Sequence, residues 1–176
     1  MAEDQWKRTG EKFMLWPAAD LAVGGIPFRV PSVSQYARPL VLTAVTSEFV
    51  IPVGQECERI HILGQVTLPL GFPLIGKRGE LVATYRVRYR GGMQKEIAIK
   101  AGKEVAQANL IHAATRIEPV ATEAQPALKY VKDVVREQYQ VLLWTVELKR
   151  GVVESLSCKL EQRQPALAIF ALTAEG

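Results

Sequence analysis

Hydrophobic and polar residues alternate with a period of two along several short stretches of the chain. The clearest of these is LVATYRVRYRGGMQKEIAIKAGKEV, residues 81–105. In its first half every second residue is apolar or aromatic, namely Ala83, Tyr85, Val87 and Tyr89. This period is typical of a β-strand with one buried and one solvated face. The stretch therefore predicts a β-hairpin that turns near Gly91 and Gly92.

The register of this hairpin follows from the faces of its two strands. A two-residue turn at Gly91-Gly92 would place Ile97 beside Arg86 and so move the apolar residues to the wrong face. A three-residue loop over 91–93, with a glycine in the left-handed region, restores the match. This loop predicts three cross-strand pairs: Val87 with Ile97, Tyr85 with Ile99, and Arg88 with Glu96.

Further strands are predicted on both sides of the hairpin. They cover 39–45, 48–53, 58–66, 139–148, 153–160 and 166–173. Pro52 indicates an edge or the end of a strand. The segments around Trp144 and over 166–173 are apolar on both faces, which predicts central strands. Roughly eight short strands separated by turn signals favour an antiparallel β-sandwich over a βαβ fold.

The segment 103–136 is the least strand-like part of the chain. Its first half, KEVAQANLIHAATRI, predicts a short helix with Val105, Ala108 and Ile111 or His112 on one face, and the rest predicts a long loop. A connection of this length is usually either functional or a surface insertion without a role in the core. We expect residues 1–23 to be an N-terminal segment packed on the domain, and 24–176 to form a single domain.

Length and composition exclude several classes of protein. Of the 176 residues, 48% are hydrophobic and 23% are charged, which is typical of one globular domain and not of a disordered chain. No apolar run approaches the roughly 18 residues of a membrane span, so none is predicted. The first residues, MAEDQWKRTGEKF, are too polar for a signal peptide. We expect a piece of a longer secreted protein, with a cytoplasmic protein as the alternative.

The charge of the chain is a weak indication of its partner. A net charge of +4 suits an acidic partner, either an anionic polysaccharide or nucleic acid, but also an ordinary solvated surface. No Lys/Arg run has the density of a nucleic-acid patch, so no nucleic-acid partner is predicted. The row of Arg86, Arg88 and Arg90 offers a basic surface to an acidic glycan, although a solvated sheet face is the favoured interpretation.

Residues that could carry catalysis or bind a metal are few. His61 and His112 are the only histidines, and His61 lies among apolar neighbours, which favours a structural role. Cys57 and Cys158 are far apart and in no CxxC motif, so they suggest no metal site. They form either a disulfide or two buried thiols, and buried thiols are favoured. Because GxSxG, P-loop and HExxH patterns are also absent, the sequence predicts no enzyme.

Several landmarks follow one another in a characteristic order. GIPFRV at 25–30 precedes YRVRYRGG at 85–92, and Gly102 and Trp144 come later. This order resembles the galactose-binding-like jelly-roll modules that are appended to many bacterial glycoside hydrolases and related secreted enzymes. The resemblance covers about residues 24–174. It departs from the family at the turn aspartate, which is glycine here, and at a tryptophan and an Asn-Pro that are missing.

The resemblance implies a jelly-roll β-sandwich that acts as a non-catalytic carbohydrate-binding module of a larger extracellular, polysaccharide-degrading enzyme. Its partners would be a polysaccharide or oligosaccharide, acidic in view of the positive charge, and a neighbouring catalytic domain. Side chains that stack on sugar rings or bond to hydroxyls would form the site. The candidates for this role are Arg116, Tyr130, Asn109, His112, Trp16 and Tyr36.

No cofactor is predicted, although jelly rolls of this type often hold a structural calcium ion. The carboxylates available to such an ion are Asp20, Glu48 and Glu175, but no spacing in the sequence argues for them. Two alternatives to sugar binding stay open. The first is a structural accessory domain that packs against a catalytic domain and carries a contiguous apolar patch. The second, which the missing motifs disfavour, is a small self-standing enzyme.

Overall fold

The fold was examined in a computed structural model. It describes residues 20–30, 32–33, 36–37, 40–68, 78–108, 120–132, 137–161 and 166–176. All regular elements within these ranges are β-strands. None of the residues described forms a helix long and apolar enough to cross a membrane.

The strands are numbered in chain order. They are β1 (Asp20–Val23), β2 (Ile26–Arg29), β3 (Ser32–Val33), β4 (Tyr36–Ala37), β5 (Leu40–Leu42), β6 (Glu48–Gly64), β7 (Val66–Leu68), β8 (Leu81–Tyr89), β9 (Gln94–Lys100), β10 (Ala106–Gln107), β11 (Gln125–Lys132), β12 (Glu137–Leu160), β13 (Ala166–Ile169) and β14 (Ala171–Glu175). Every pair of these strands is antiparallel except β7 with β10. The expected all-β, antiparallel architecture is confirmed at this level.

Two larger sheets and two small hairpins make up the fold. The six-stranded sheet has the order β14-β6-β12-β8-β9, with β11 also paired to β12. The four-stranded sheet has the order β10-β7-β13-β5, and β1-β2 and β3-β4 form the hairpins. The β1-β2 hairpin lies against β14, where the Thr173 hydroxyl donates a hydrogen bond to the Pro27 carbonyl. This arrangement is consistent with a β-sandwich.

Strands β6 and β12 are longer than the sequence predicted, with 17 and 24 residues. Each merges two of the predicted strands. Register shifts between Glu147 and Gly151 and between Val153 and Ser155 take up extra residues without ending the pairing. Pro52 sits in the part of β6 that has β12 on one side and no described strand on the other, as expected of a proline at an edge.

The two segments predicted to be central have different outcomes. β12 lies between β6 and the pair β8 and β11, so the first prediction is confirmed. The segment 166–173 divides between two sheets. Its first part, β13, is buried between β7 and β5, whereas β14 lies half-buried at an edge of the six-stranded sheet. The prediction is therefore wrong for β14.

The β8-β9 hairpin has a three-residue loop, but one position earlier than predicted. The loop is Arg90-Gly91-Gly92, and the Tyr89 amide donates to the Met93 carbonyl at 2.9 Å. Both glycines then take a positive φ, 90° and 89°, and Met93 stays out of the loop. The predicted pairs are therefore wrong, although the apolar faces are preserved. The observed pairs are Tyr85 with Ile97, Val87 with Lys95, and Arg86 with Glu96.

The segment 103–136 contains strands where the sequence predicted a helix and a loop. Residues 103–105 form a turn, and β10 then pairs in parallel with β7, so the predicted helix is wrong over 103–108. β11 occupies 125–132, where a loop was expected. β10 pairs with a strand that is distant in sequence, which local periodicity does not indicate, whereas β11 forms a hairpin with the start of β12. Residues 109–119 and 133–136 lie outside the described residues.

One hydrophobic core is shared by the two larger sheets. Tyr85 and Trp144 are buried in it, with ring centroids 6.1 Å apart, as predicted for both residues. Cys57 and Cys158 are free and buried, so the two thiols form no disulfide. Desolvation raises the pKa of Cys158 to about 12, which keeps its thiol protonated and unreactive near neutral pH.

Two strands change sheets at the same point of this core. β6 runs through Gly64 and Gln65 into β7, and β13 runs through Phe170 into β14. The Phe170 amide donates to the Leu63 carbonyl at 2.7 Å. Gly64 has a φ of 134°, and a Cβ there would lie 2.7 Å from the Ala168 carbonyl oxygen. Only glycine fits this crossing of two backbones.

We expect Gly64→Ala to destabilise the fold by about 3 kcal/mol, because the methyl group overlaps the β13 backbone and the positive φ adds strain. Urea denaturation measures the loss. Gly54→Ala is the matched control, since Gly54 has a φ of 71° with nothing within 4 Å of its added Cβ. The control should lose only about 1–2 kcal/mol, from backbone strain alone. Equal losses in the two variants would show that the crossing is not tightly packed.

Candidate functional site

Polar side chains gather at two places on the six-stranded sheet. The first is an open groove on the sheet face, of about 240 Å³, here called the sheet-face groove. Its lining residues are Glu48, Thr84, Arg86, Glu96, Ser157, Lys159 and Glu161. The second is here called the histidine cluster. Its members are Arg59, His61, Thr145, Glu147 and Glu175.

The sheet-face groove lies on the side of the sheet that faces away from the core. Side chains alternate along β8 and β12, so Tyr85 and Cys158 point into the core while Arg86 and Ser157 point outward. The strand registers align the outward residues in rows. One row runs from Glu48 through Lys159 to Thr84, and the next runs from Val50 through Ser157 and Arg86 to Glu96.

Ion pairs occupy the charged groups of the groove. Arg86 donates from Nε and Nη2 to one carboxylate oxygen of Glu96, at 3.0 and 2.7 Å. Lys159 Nζ lies 3.8 Å from Glu161 Oε1. The side chain of Glu48 is exposed and makes no hydrogen bond or ion pair to another described residue. The lining therefore carries three carboxylates against two cations, an excess of one negative charge.

Two of the three arginines in the predicted row, Arg86 and Arg88, are paired with carboxylates in the same way. Besides the pair of Arg86 with Glu96, Arg88 Nε lies 3.2 Å from Glu154 Oε2. Each pair is exposed to solvent, and a pair of this kind adds little to stability. The favoured interpretation, a solvated sheet face, therefore agrees with the contacts of these two arginines.

The chemistry of the groove is that of hydrogen bonding. Guanidinium, ammonium, carboxylate and hydroxyl groups all face the same space, and together they supply donors and acceptors for a polyhydroxylated ligand. No aromatic ring is found among the described lining residues. The neighbouring apolar side chain is that of Val50, which is 63% exposed beside Ser157.

The histidine cluster is a chain of hydrogen bonds across β12, β6 and β14, in which His61 is buried while Arg59, Glu147 and Glu175 are exposed in part. His61 Nδ1 lies 2.9 Å from Thr145 Oγ1, and His61 Nε2 lies 2.7 Å from Glu175 Oε2. Arg59 bridges two carboxylates, with Nη1 at 2.9 Å from Glu175 and Nε at 3.1 Å from Glu147. The register places these residues in adjacent rows, which is what brings Glu175 to the imidazole.

A hydroxyl, an imidazole and a carboxylate linked by hydrogen bonds are also the components of a hydrolytic triad. The side chain of His61 is only 5% exposed, however, and both ring nitrogens already have partners. A substrate has no room to approach the ring. The geometry therefore favours a structural role, in which the cluster fastens the C-terminal strand β14 to the middle of the sheet.

The contribution of Glu175 to the attachment of β14 depends on pH. The hydrogen bond from His61 and the charge of Arg59 lower the pKa of the Glu175 carboxyl below its usual value of 4.5. A group whose pKa is lower in the folded state stabilises the fold above its unfolded pKa. That stabilisation is lost as the pH falls through the folded pKa.

We expect Glu175→Gln to lower the melting temperature at pH 7, and the difference from wild type to shrink as the pH falls below about 4.5. Thermal unfolding between pH 3 and pH 7 measures both effects. Asp20→Asn is the matched control, because Asp20 forms an exposed pair with Arg29 alone. A Glu175→Gln difference that stays constant over this range would contradict a role for the carboxylate charge.

The predicted sugar-binding residues do not meet in the described part of the chain. Trp16, Asn109, His112 and Arg116 lie outside the described residues. Tyr36 lies in β4, where it pairs with Val33, and Tyr130 lies in β11, where it pairs with Tyr139.

The carboxylates considered for calcium are in three different places. Asp20 pairs with Arg29 in the β1-β2 hairpin, Glu48 lines the sheet-face groove, and Glu175 belongs to the histidine cluster. No group of three or more His, Cys, Asp or Glu side chains in the described ranges could hold a metal ion. These three residues therefore do not form a common ion site.

Sequence reasoning considered Arg86 as part of a basic surface for an acidic glycan and Glu48 as a calcium ligand, and it proposed no binding role for the other lining residues. The only available signal was that they occupy the polar positions of alternating strands. Comparison with known proteins supplies no homologue for this arrangement, since no protein family matches the chain and no curated protein does. The function must therefore be inferred from the geometry and from the order of the sequence landmarks.

Proposed function

We propose that this chain is a non-catalytic carbohydrate-binding module of a larger secreted, polysaccharide-degrading enzyme, and that it has a jelly-roll β-sandwich fold. The sheet-face groove is the proposed binding site, and its open row of hydrogen-bonding groups is the observation that carries the proposal. The order of the galactose-binding-like landmarks supports it as well. Those landmarks occupy structural positions, since Tyr85 and Trp144 are buried and Gly102 has a φ of 73°.

Sugar hydroxyls would bind in the groove by exchanging with water at groups that are already in position. Glu96 holds the planar guanidinium of Arg86 in a fixed orientation, with its remaining N–H groups free to donate. Carboxylate oxygens accept hydrogen bonds from hydroxyl groups, and Thr84 and Ser157 supply hydroxyls between them. Because the ion pair of Arg86 is exposed, changing it should affect binding far more than folding.

Affinity electrophoresis against a panel of neutral and anionic polysaccharides tests the proposal. We expect at least one polysaccharide to retard the wild-type protein. Arg86→Ala should weaken that binding about tenfold or more, because a hydrogen bond to a charged group contributes about 1.5–3 kcal/mol. Arg150→Ala is the matched control, since Arg150 forms a similar exposed pair with Glu56 on β12 and β6 but does not line the groove.

Two outcomes of this experiment would count against the proposal. The absence of retardation on every polysaccharide would argue against sugar binding altogether. Equal weakening by Arg86→Ala and Arg150→Ala would argue that the groove is not the site. Circular dichroism and a thermal melt of each variant establish that the fold is intact.

A second candidate is a structural accessory domain that packs against a catalytic domain and binds no sugar. One observation favours it, namely that none of the described lining residues is aromatic, although aromatic rings commonly stack on sugars. Large apolar side chains that are exposed in the described ranges are Leu40, Val45, Val50, Leu81, Met93 and Val120. This candidate predicts a melting temperature that does not change with any glycan of the panel.

A further inference from the structure

We infer that the sheet-face groove selects uncharged glycans over anionic ones, and that Glu48 sets this preference. The inference rests on the proposed function, because it concerns the ligand of the same groove. It departs from the expectation of an acidic polysaccharide, which was drawn from the net charge of the whole chain.

The cations of the groove are already matched by carboxylates. Arg86 gives two hydrogen bonds to Glu96. Lys159 stands opposite Glu48 in the β6-β12 register and also lies 3.8 Å from Glu161. An incoming uronate or sulfate group would meet cations whose charge is already balanced, and it would lie close to the carboxylates that balance them and repel it.

Glu48 is the carboxylate without a partner of its own. It is exposed at the start of β6, and no ion pair or hydrogen bond joins its side chain to the rest of the described chain. Its carboxylate therefore faces the groove without an ion pair to a described residue. A carboxylate in this setting accepts hydrogen bonds from the hydroxyls of a neutral sugar and repels an anionic one.

The positive charge of the whole chain does not reverse this local balance. At physiological ionic strength, the interaction of exposed charges is largely screened beyond about 8 Å. An anionic sugar within the groove therefore responds to the charges that line it more than to distant lysines and arginines. Two unit charges about 4 Å apart in water interact by about 1 kcal/mol, which corresponds to roughly a fivefold change in affinity.

Glycans that share a backbone and carry either neutral or anionic substituents provide the test. Hydroxyethyl cellulose and carboxymethyl cellulose form one such pair, and fully methyl-esterified and unesterified polygalacturonate form another. We expect wild type to bind the neutral member of a pair roughly fivefold or more tightly than the anionic member at low salt. Titration calorimetry or affinity electrophoresis measures the ratio, and added NaCl should reduce it.

Glu48→Gln should reduce this ratio to near one, because it leaves two carboxylates against two cations in the groove. Glu56→Gln is the matched control, since Glu56 is also an exposed carboxylate on β6 but pairs with Arg150 outside the groove. It changes the net charge of the protein by the same amount and should leave the ratio unchanged. Equal effects of the two substitutions would overturn the assignment of the preference to Glu48.

The remaining outcomes separate this inference from the proposed function. Tighter binding of the anionic members by wild type would overturn the inference while leaving the carbohydrate-binding function in place. Binding of neither member of any pair, and of no other polysaccharide in the panel, would overturn the proposed function and the inference with it.

Discussion

The close approach of two backbones at Gly64 is the constraint on which the rest of the structure depends. At that point the chain passes from β6 in the six-stranded sheet to β7 in the four-stranded sheet. Through Phe170 it later passes from β13 in the four-stranded sheet back to β14 in the six-stranded sheet. No side chain fits between them. Because the chain changes sheets twice at this point, the two sheets share one core, and β14 pairs with β6 as an edge strand of the six-stranded sheet.

The outer face of the six-stranded sheet follows from the two long strands that cross it. β6 and β12 pair along most of their lengths, and β8 and β9 extend the C-terminal half of β12. The polar residues that alternate with the core residues are thereby stacked in rows over four strands. The sheet-face groove is thus a consequence of register, since its lining residues are contributed by different strands that lie far apart in the sequence.

Burial gives the two polar clusters of this sheet different roles. In the histidine cluster the imidazole is buried and both of its nitrogens are bonded, so its interactions hold β14 in place. In the sheet-face groove the ion pairs are exposed, and pairs of that kind contribute little to folding. The groups of the groove are therefore available to a ligand, and those of the histidine cluster are not.

The sequence by itself determined the all-β class, the buried faces around Tyr85 and Trp144, and the free, buried thiols as the favoured state, because alternation and hydrophobicity are local properties. Tertiary structure decided the continuity of β6 and β12, the strands in place of the expected helix at 103–108 and loop at 125–132, and the alignment of Arg86 with Ser157. All of these except β11, which forms a hairpin with the start of β12, depend on pairing between distant segments, and bulges and loops shift such pairing by one or two residues. The period of the sequence is the same for either register, so only the folded chain shows which polar residues share a groove.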